Sequence, residues 1–320
     1  MSRSFMSSGS ASLATKFVGA APRGLAPVVV AGILWGTTGT VVQLIRHSVG
    51  LSPVSIGFYR LAIAALVLLL FSAPQLGSAV RMLRPHLWPL LLVGSGFGAY
   101  QALYFIAVAW SGVAIATVVS LGLAPVLIAG WEAARSRRGP TRAARCSMTL
   151  AVVGLALITG FTVSPTGAAP QPLLGLLAAL GSGLGYAATT AASQNISQCV
   201  QPLTLTAATT AIGAVTLLPF ALMSGSIKYP MTSGATGMLA YLGVIPTAVA
   251  YALFYSGLRS MAGSVAVVLT LLEPLTASVL AVVILDENIS LPAIAGGGLL
   301  LSAVIIASLS HQHTEPVHPS

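Results

Sequence analysis

The chain has 320 residues, 56% of them apolar and 6% charged, with a mean hydropathy of +0.94. Soluble domains carry about 25% charged residues, so a water-exposed globule is excluded and a bilayer is the solvent that fits. The formal charge of +9 is not a nucleic-acid-binding face, because the basic residues gather in an N-terminal tail and two short loops, where they set orientation in a membrane.

Residues 1–24 are Ser-rich and polar, with Arg3, Lys16 and Arg23. No apolar stretch with a cleavage site precedes the first long hydrophobic run, so the segment reads as a disordered cytoplasmic tail; a transit peptide is the compositional alternative. A helix crosses the hydrocarbon with about 20 apolar residues. Beyond the tail, Pro, Gly and polar clusters divide the chain into ten such runs: 25–45, 53–72, 87–110, 113–131, 146–163, 172–193, 203–223, 235–257, 261–285 and 290–309. Residues 310–320 form a second tail, whose histidines read as solvated rather than metal-binding. With the N-terminus inside, the cytoplasmic side receives Arg3, Lys16, Arg23, Arg81, Arg84, the arginines from 135 to 145, and Arg259. The outside receives Arg46 and Lys228, and later the acids Asp286 and Glu287. Both termini are therefore expected in the cytoplasm, where Cys146 and Cys199 stay reduced.

Polar residues inside spans are the candidates for function. In chain order they are Trp35 and Gln43 (span one), Arg60 (span two), Gln101 and Tyr104 (span three), Tyr186 and Gln194 (span six), Tyr251 and Tyr255 (span eight), and Thr270 and Glu273 (span nine). Glu273 stands in "LTLLEPLTASVL" beside Pro274, which has no N–H for the carbonyl of Thr270. In lipid such a break is tolerated only against protein or a water-filled cavity. Thr270 and Glu273 share a helix face, so acid, hydroxyl and break are expected to point inward together. A charge at a helix centre costs about 2.5–3.5 kcal/mol on insertion scales and calls for a partner or a function. Three readings stand for Glu273: a structural ion pair with Arg60, contact with substrate, or proton coupling. Pro125 predicts a matching kink in span four. Gly32/Gly36, Gly94/Gly98 and Gly181/Gly185 are spaced for close helix packing.

The halves repeat. Pro125 and Pro274 align at a shift of 149, as "AALVLL" does with "GAVTLL"; at 151, Trp35 meets Tyr186 and Gln43 meets Gln194. Five spans per copy is odd, so the second copy, 164–309, must be inverted relative to the first, 25–163. Inverted repeats are an architecture of secondary transporters, with the substrate at the repeat interface.

The segments "GILWGTTGT", "LSPVSIGFYRLAIAALVLLL", "YQALYFIAVAWSGVAIATVVSLGLAPVL" and the run from "YLGVIPTAVAYALFYSGLRS" through "LLEPLTASVLAVVILDENIS" to the Gly-rich last helix resemble the drug/metabolite transporter superfamily, in its ten-helix EamA branch. The resemblance implies a single-domain exporter or permease of the bacterial cytoplasmic membrane, working by alternating access. It implies a central cavity ringed by spans one, three, four, six, eight and nine, and it favours a monomer. Span four ends in "WEAARSRRGP" where many relatives have a shorter turn with Gly-Glu, which leaves Glu132 as an uncertain counterpart. Span one lacks the carboxylate that binds cations and protons in the small four-helix relatives, which weighs against a cationic-drug reading.

No catalytic set stands out. Asp286 is the only aspartate, and there is neither an HExxH pair nor a GxxxxGK[ST] loop, so no enzyme, cofactor or metal is expected. The reading is an all-α integral membrane protein of two inverted five-helix repeats. As a secondary transporter it would export small amphiphilic metabolites such as amino acids, with protons as a candidate coupling ion. An uncoupled channel or facilitator and a multidrug exporter are the alternatives.

Overall fold

Where no water reaches the backbone, an apolar run satisfies its own N–H and C=O groups only by coiling into a helix. The computed structural model describes residues 24–72, 77, 81, 83–162, 171–224, 232–285 and 290–312. Among these residues the only regular structure is helix, with ten helices long and apolar enough to cross a membrane. They are α1 Leu25–Val49, α2 Pro53–Ser72, α3 Leu87–Ser111, α4 Val113–Ser136, α5 Arg142–Thr162, α6 Pro172–Cys199 and α7 Pro202–Met223. The eighth, α8, runs Ser233–Leu258; α9 comes in two pieces, Gly263–Thr270 and Leu272–Leu285; α10 is Leu291–Gln312. The ten expected runs are all present. Several helices extend past their apolar runs because polar residues at a helix end, such as those of "QLIRHSV" and "WEAARS", coil on past the hydrocarbon. Lys228, Asp286, Glu287 and most of both tails lie outside the described residues.

The packing has a pseudo-twofold logic. Helix α3 packs on α6 as α8 packs on α1, and α4 on α6 as α9 on α1; α2–α7 and α5–α10 are pairs that map onto themselves. At the bundle end where α1 begins, Gly24 and Gly257 meet so closely that a Cβ on Gly257 would stand 2.5 Å from the Gly24 carbonyl oxygen. At the opposite end, Gly175 of α6 meets Ser111 of α3 in the same way, a Cβ there standing 2.6 Å from the Ser111 nitrogen. The same junction at opposite ends is what inversion of one repeat relative to the other requires. On the shared axis, Gly154 and Gly296 contact each other reciprocally: each added Cβ would fall within 2.7 Å of the other's carbonyl oxygen.

Two prolines disrupt helices, in different ways. In α9 the helix stops at Thr270, Leu271 is a turn whose N–H reaches back three residues to Val268 O (3.1 Å) rather than four, and helix resumes at Leu272. That is where Pro274 withholds its N–H. In α8 the ladder widens into a π-helical stretch, Val244–Val249, around Pro246, and the Thr247 hydroxyl donates to Leu242 O at 2.7 Å. Such bulges concentrate at functional sites, and this one follows Gly243, which packs on Ile63 and the backbone of Arg60. Helix α4, by contrast, is continuous through Pro125, so of the two aligned prolines only Pro274 interrupts its helix.

The glycine pairs serve close approach. Gly32 and Gly36 of α1 bring its backbone against Leu269, Thr270 and Glu273, and Gly94 and Gly98 do likewise for α3 against α7. A Cβ on Gly36 would stand 2.4 Å from Thr276 Cβ and 2.7 Å from the Glu273 carbonyl oxygen, whereas one on Gly39 meets nothing within 4 Å. Gly36→Ala should therefore destabilise by the about 1–3 kcal/mol typical of overpacking. Gly39→Ala should be neutral or gain up to about 1 kcal/mol from helix propensity. Unfolding midpoints in detergent decide this; equal stability of the two variants would contradict the α1–α9 contact.

Candidate substrate site

Where α1, α3, α6 and α8 cross, their aromatic side chains interlock. Trp35 packs tilted against Tyr251 with centroids 4.7 Å apart, and Tyr186 likewise against Tyr100 at 5.4 Å. The two pairs meet through the Tyr100 and Tyr251 hydroxyls, 3.4 Å apart. Tyr100 and Tyr251 are separated by 151 residues, the shift that also relates Trp35 to Tyr186. The repeat has therefore produced the same aromatic pair twice and joined the copies at its axis. Phe97 and Tyr255 complete the cluster against Tyr251, at 4.7 and 6.2 Å. Between Phe97, Tyr100, Tyr186, Tyr251, Phe254 and Tyr255 lies a cavity of about 10 Å³, room for about one water molecule.

Polar groups ring this cluster. Tyr186 shares a hydrogen bond with Thr270 across α6 and α9 (3.2 Å), Tyr104 with Thr117 across α3 and α4 (2.9 Å), and Tyr255 donates to Thr209 of α7 (3.5 Å). Tyr241 of α8 donates to Thr37 of α1 at 3.0 Å. Glu273 opens the second piece of α9, half-buried, with its backbone against Gly36 of α1 next to Trp35. Arg60 of α2 has its backbone against Gly243, just before the π-helical stretch of α8.

The expected Arg60–Glu273 ion pair is not formed. The Arg60 guanidinium turns to α3, where Nη2 donates to Gln101 Oε1 at 2.6 Å. No salt bridge links it to Glu273, because Gln101 on the adjacent helix captures it first. Four buried side-chain atoms among the described residues have no hydrogen-bond partner: Trp35 Nε1, Thr38 Oγ1, Arg60 Nε and Gln101 Nε2.

Two of the three glutamines stand apart from the cluster. Gln43 lies two turns beyond Trp35, exposed, in a surface recess with Arg46, His47 and Ser52. Gln194 lies toward the other end of the bundle, where its Nε2 donates to Met261 O at 2.9 Å. Beside it Gln198 Nε2 donates to Arg259 O at 2.9 Å. These amides tie α6 to the α8–α9 connection. Their repeat-related positions fall at opposite ends because the repeats are inverted. Both lie apart from the aromatic cluster.

Glu132 proves to be the connection that sequence alone left open. Its carboxylate, at the end of α4, accepts from the backbone N–H of Ser264 (3.1 Å) and, at its other oxygen, from the Ser264 hydroxyl. Ser264 is in the first turn of α9, so Glu132 supplies from another helix the anionic cap that a helix N-terminus favours. The signals were an acid at a span end and the start "AGSV" of another span. Nothing in either segment says that the two ends meet.

Known proteins share this architecture. The family model described as the EamA-like transporter family matches residues 22–160 and 173–309. The chain is similar to an uncharacterized transporter of Bacillus subtilis, YwfM, with 32% identity over 88% of this chain and 92% of that protein. It is also similar to YicL, an uncharacterized inner membrane transporter of Salmonella typhimurium, with 29% identity over 91% and 97% of the two chains. A solved crystal structure shares the fold at a TM-score of 0.74 and 19% identity, over 92% of this chain and 99% of the other.

Removing the interhelical cap should weaken the end of the bundle it closes. Glu132→Ala should cost about 0.5–2 kcal/mol, comparable to loss of a helix cap. Glu132→Gln should lose less, since an amide oxygen still accepts from Ser264. Melting in detergent gives the order; a fully stable alanine variant would contradict the clamp.

Proposed function

Because the chain belongs to the EamA-like transporter family, we propose that this membrane transporter is a secondary exporter of small amphiphilic metabolites, amino acids foremost, working by alternating access in the bacterial cytoplasmic membrane with both termini inside. The observation that carries this reading is the aromatic cluster on the repeat axis, flanked by Glu273 at the break in α9. A solute held there is equidistant from two halves of the same architecture facing opposite ways, so rocking one half against the other exposes it to either side. Helix α9 is suited to that movement, since its two pieces are joined at Leu271 without a continuous hydrogen-bond ladder.

The clamp of Glu132 on Ser264 and the amides of Gln194 and Gln198 close one end of the pathway, and they must part when that end opens. Aromatic walls suit solutes with an apolar body. Glu273 supplies the anionic contact for an amine, and it is also the group on which proton coupling would act. Trp35, Tyr104 and Tyr255 line or support the same space, and Gln43 and Gln194 serve the ends instead.

Purified protein in liposomes should exchange a labelled amino acid against the same unlabelled amino acid in counterflow, with saturation. Glu273→Gln should reduce exchange at least about tenfold, the equivalent of about 1.4 kcal/mol of lost contact, with its melting temperature retained. Comparison at pH 6 and pH 8 separates the two roles of the carboxylate. Exchange that is independent of pH assigns it to the solute, and pH-dependent exchange lost in the variant assigns it to the proton. Flux that rises linearly with concentration and never shows counterflow would identify a channel and overturn the reading.

A further inference from the structure

The Arg60–Gln101 pair is not a finished structural clamp. Its one bond uses a single guanidinium nitrogen and the amide oxygen, leaving Arg60 Nε and Gln101 Nε2 buried with no acceptor. Gln101 is only 5% exposed. A buried donor without an acceptor costs about 1–3 kcal/mol, and more on a charged group. A pair selected only to brace α2 against α3 would have both ends satisfied. These donors are on neighbouring groups of α2 and α3, and α3 also carries Phe97 and Tyr100 of the aromatic cluster.

The repeat supplies a second, independent argument. The aromatic frame is duplicated, but the charges are not. At the shift of 149 that aligns Pro125 with Pro274, the mate of Glu273 is Ala124 and the mate of Arg60 is Thr209. The frame thus carries one positive group from the first repeat and one negative group from the second. Arg60 is bonded to Gln101 rather than to Glu273. A symmetric frame with one charge of each sign is matched by a dipolar ligand.

We propose that Arg60 and Gln101 form a carboxylate subsite for the transported solute, with Glu273 receiving its ammonium group, so that the chain carries zwitterionic α-amino acids. The inference rests on the transport reading above and goes beyond it by dividing the solute between two helices of opposite repeats. A guanidinium presents planar, paired donors that fit a carboxylate. Gln101 contributes twice, since its oxygen fixes the guanidinium and its free N–H is a further donor to the same carboxylate. A solute with one charge would leave the opposite group unpaired in a desolvated space, which is the basis of discrimination here.

The test is competition on the wild-type protein. Counterflow of labelled leucine, phenylalanine and threonine is measured, and each one that exchanges is challenged with its decarboxylated amine and its deaminated acid. The amino acid should compete at least about 100-fold better than either analogue, about 2.8 kcal/mol by the affinity relation. Arg60→Gln should raise half-saturation for the amino acid at least tenfold while leaving inhibition by the amine unchanged, and Arg60→Lys should restore part of the loss. An amine that competes as well as the amino acid overturns the carboxylate subsite, as does unchanged half-saturation in a folded Arg60→Gln protein. If none of the three amino acids exchanges but a nucleoside or a lipophilic cation does, the zwitterion inference falls and the transport reading stands. If no solute shows saturable exchange, both fall.

Discussion

An unpaired backbone carbonyl cannot face lipid, and Pro274 takes from Thr270 the N–H its carbonyl would use. From that one constraint much of the arrangement follows. The broken stretch of α9 must sit against protein, and Gly32 and Gly36 let α1 approach close enough to cover it. Once α1 lies there, Trp35 is on the repeat axis against Tyr251 and Phe254, and Glu273 opens the second piece of α9 beside them. A continuous α9 could rotate its acid elsewhere at little cost. A broken one has a single side that must be buried.

Around this point the architecture is symmetric and the chemistry is not. Duplication accounts for the paired aromatics, for the glycine junctions at opposite ends, and for the helix pairs that map onto themselves. Divergence accounts for Arg60, Gln101 and Glu273, each present in one copy alone. The end clamps diverge as well: Glu132 caps α9 at the end where α1 begins, and no carboxylate occupies the equivalent position among the described residues of the second repeat. In a two-state transporter the two ends need not be held with equal strength. Their difference sets which state is lower in energy.

Much of this was legible in the sequence, for identifiable reasons. Ten spans follow from hydrophobic run lengths, and the break after Thr270 follows from one proline. The close packing at Gly36 and Gly98 follows from four-residue spacing. The choice Arg60 makes was not legible. Depth along a helix is read from the chain, but the direction a side chain takes around the axis depends on which helix stands beside it, and that helix offered Gln101. Gln43 and Gln194 align in the repeat, yet alignment in an inverted repeat places mates at opposite ends rather than in one site. Pro246 carries the same local signal as Pro274 and produced a π-helical stretch instead of a break, because Thr247 could satisfy the carbonyl of Leu242. Glu132 needed knowledge of which span ends adjoin, which no local pattern contains.

The alternating-access mechanism proposed above requires α4 and α9 to separate at one end of the bundle when a solute passes. The most direct measurement is exchange before and after that end is tied shut. With Cys146 and Cys199, both exposed, replaced by serine, a protein carrying Glu132→Cys and Ser264→Cys is treated in liposomes with a short reducible thiol cross-linker. Saturable exchange should stop on cross-linking, persist in either single-cysteine protein treated alike, and return on reduction. Exchange at full rate through the cross-linked protein would show that the two helices do not part there, and would contradict the account.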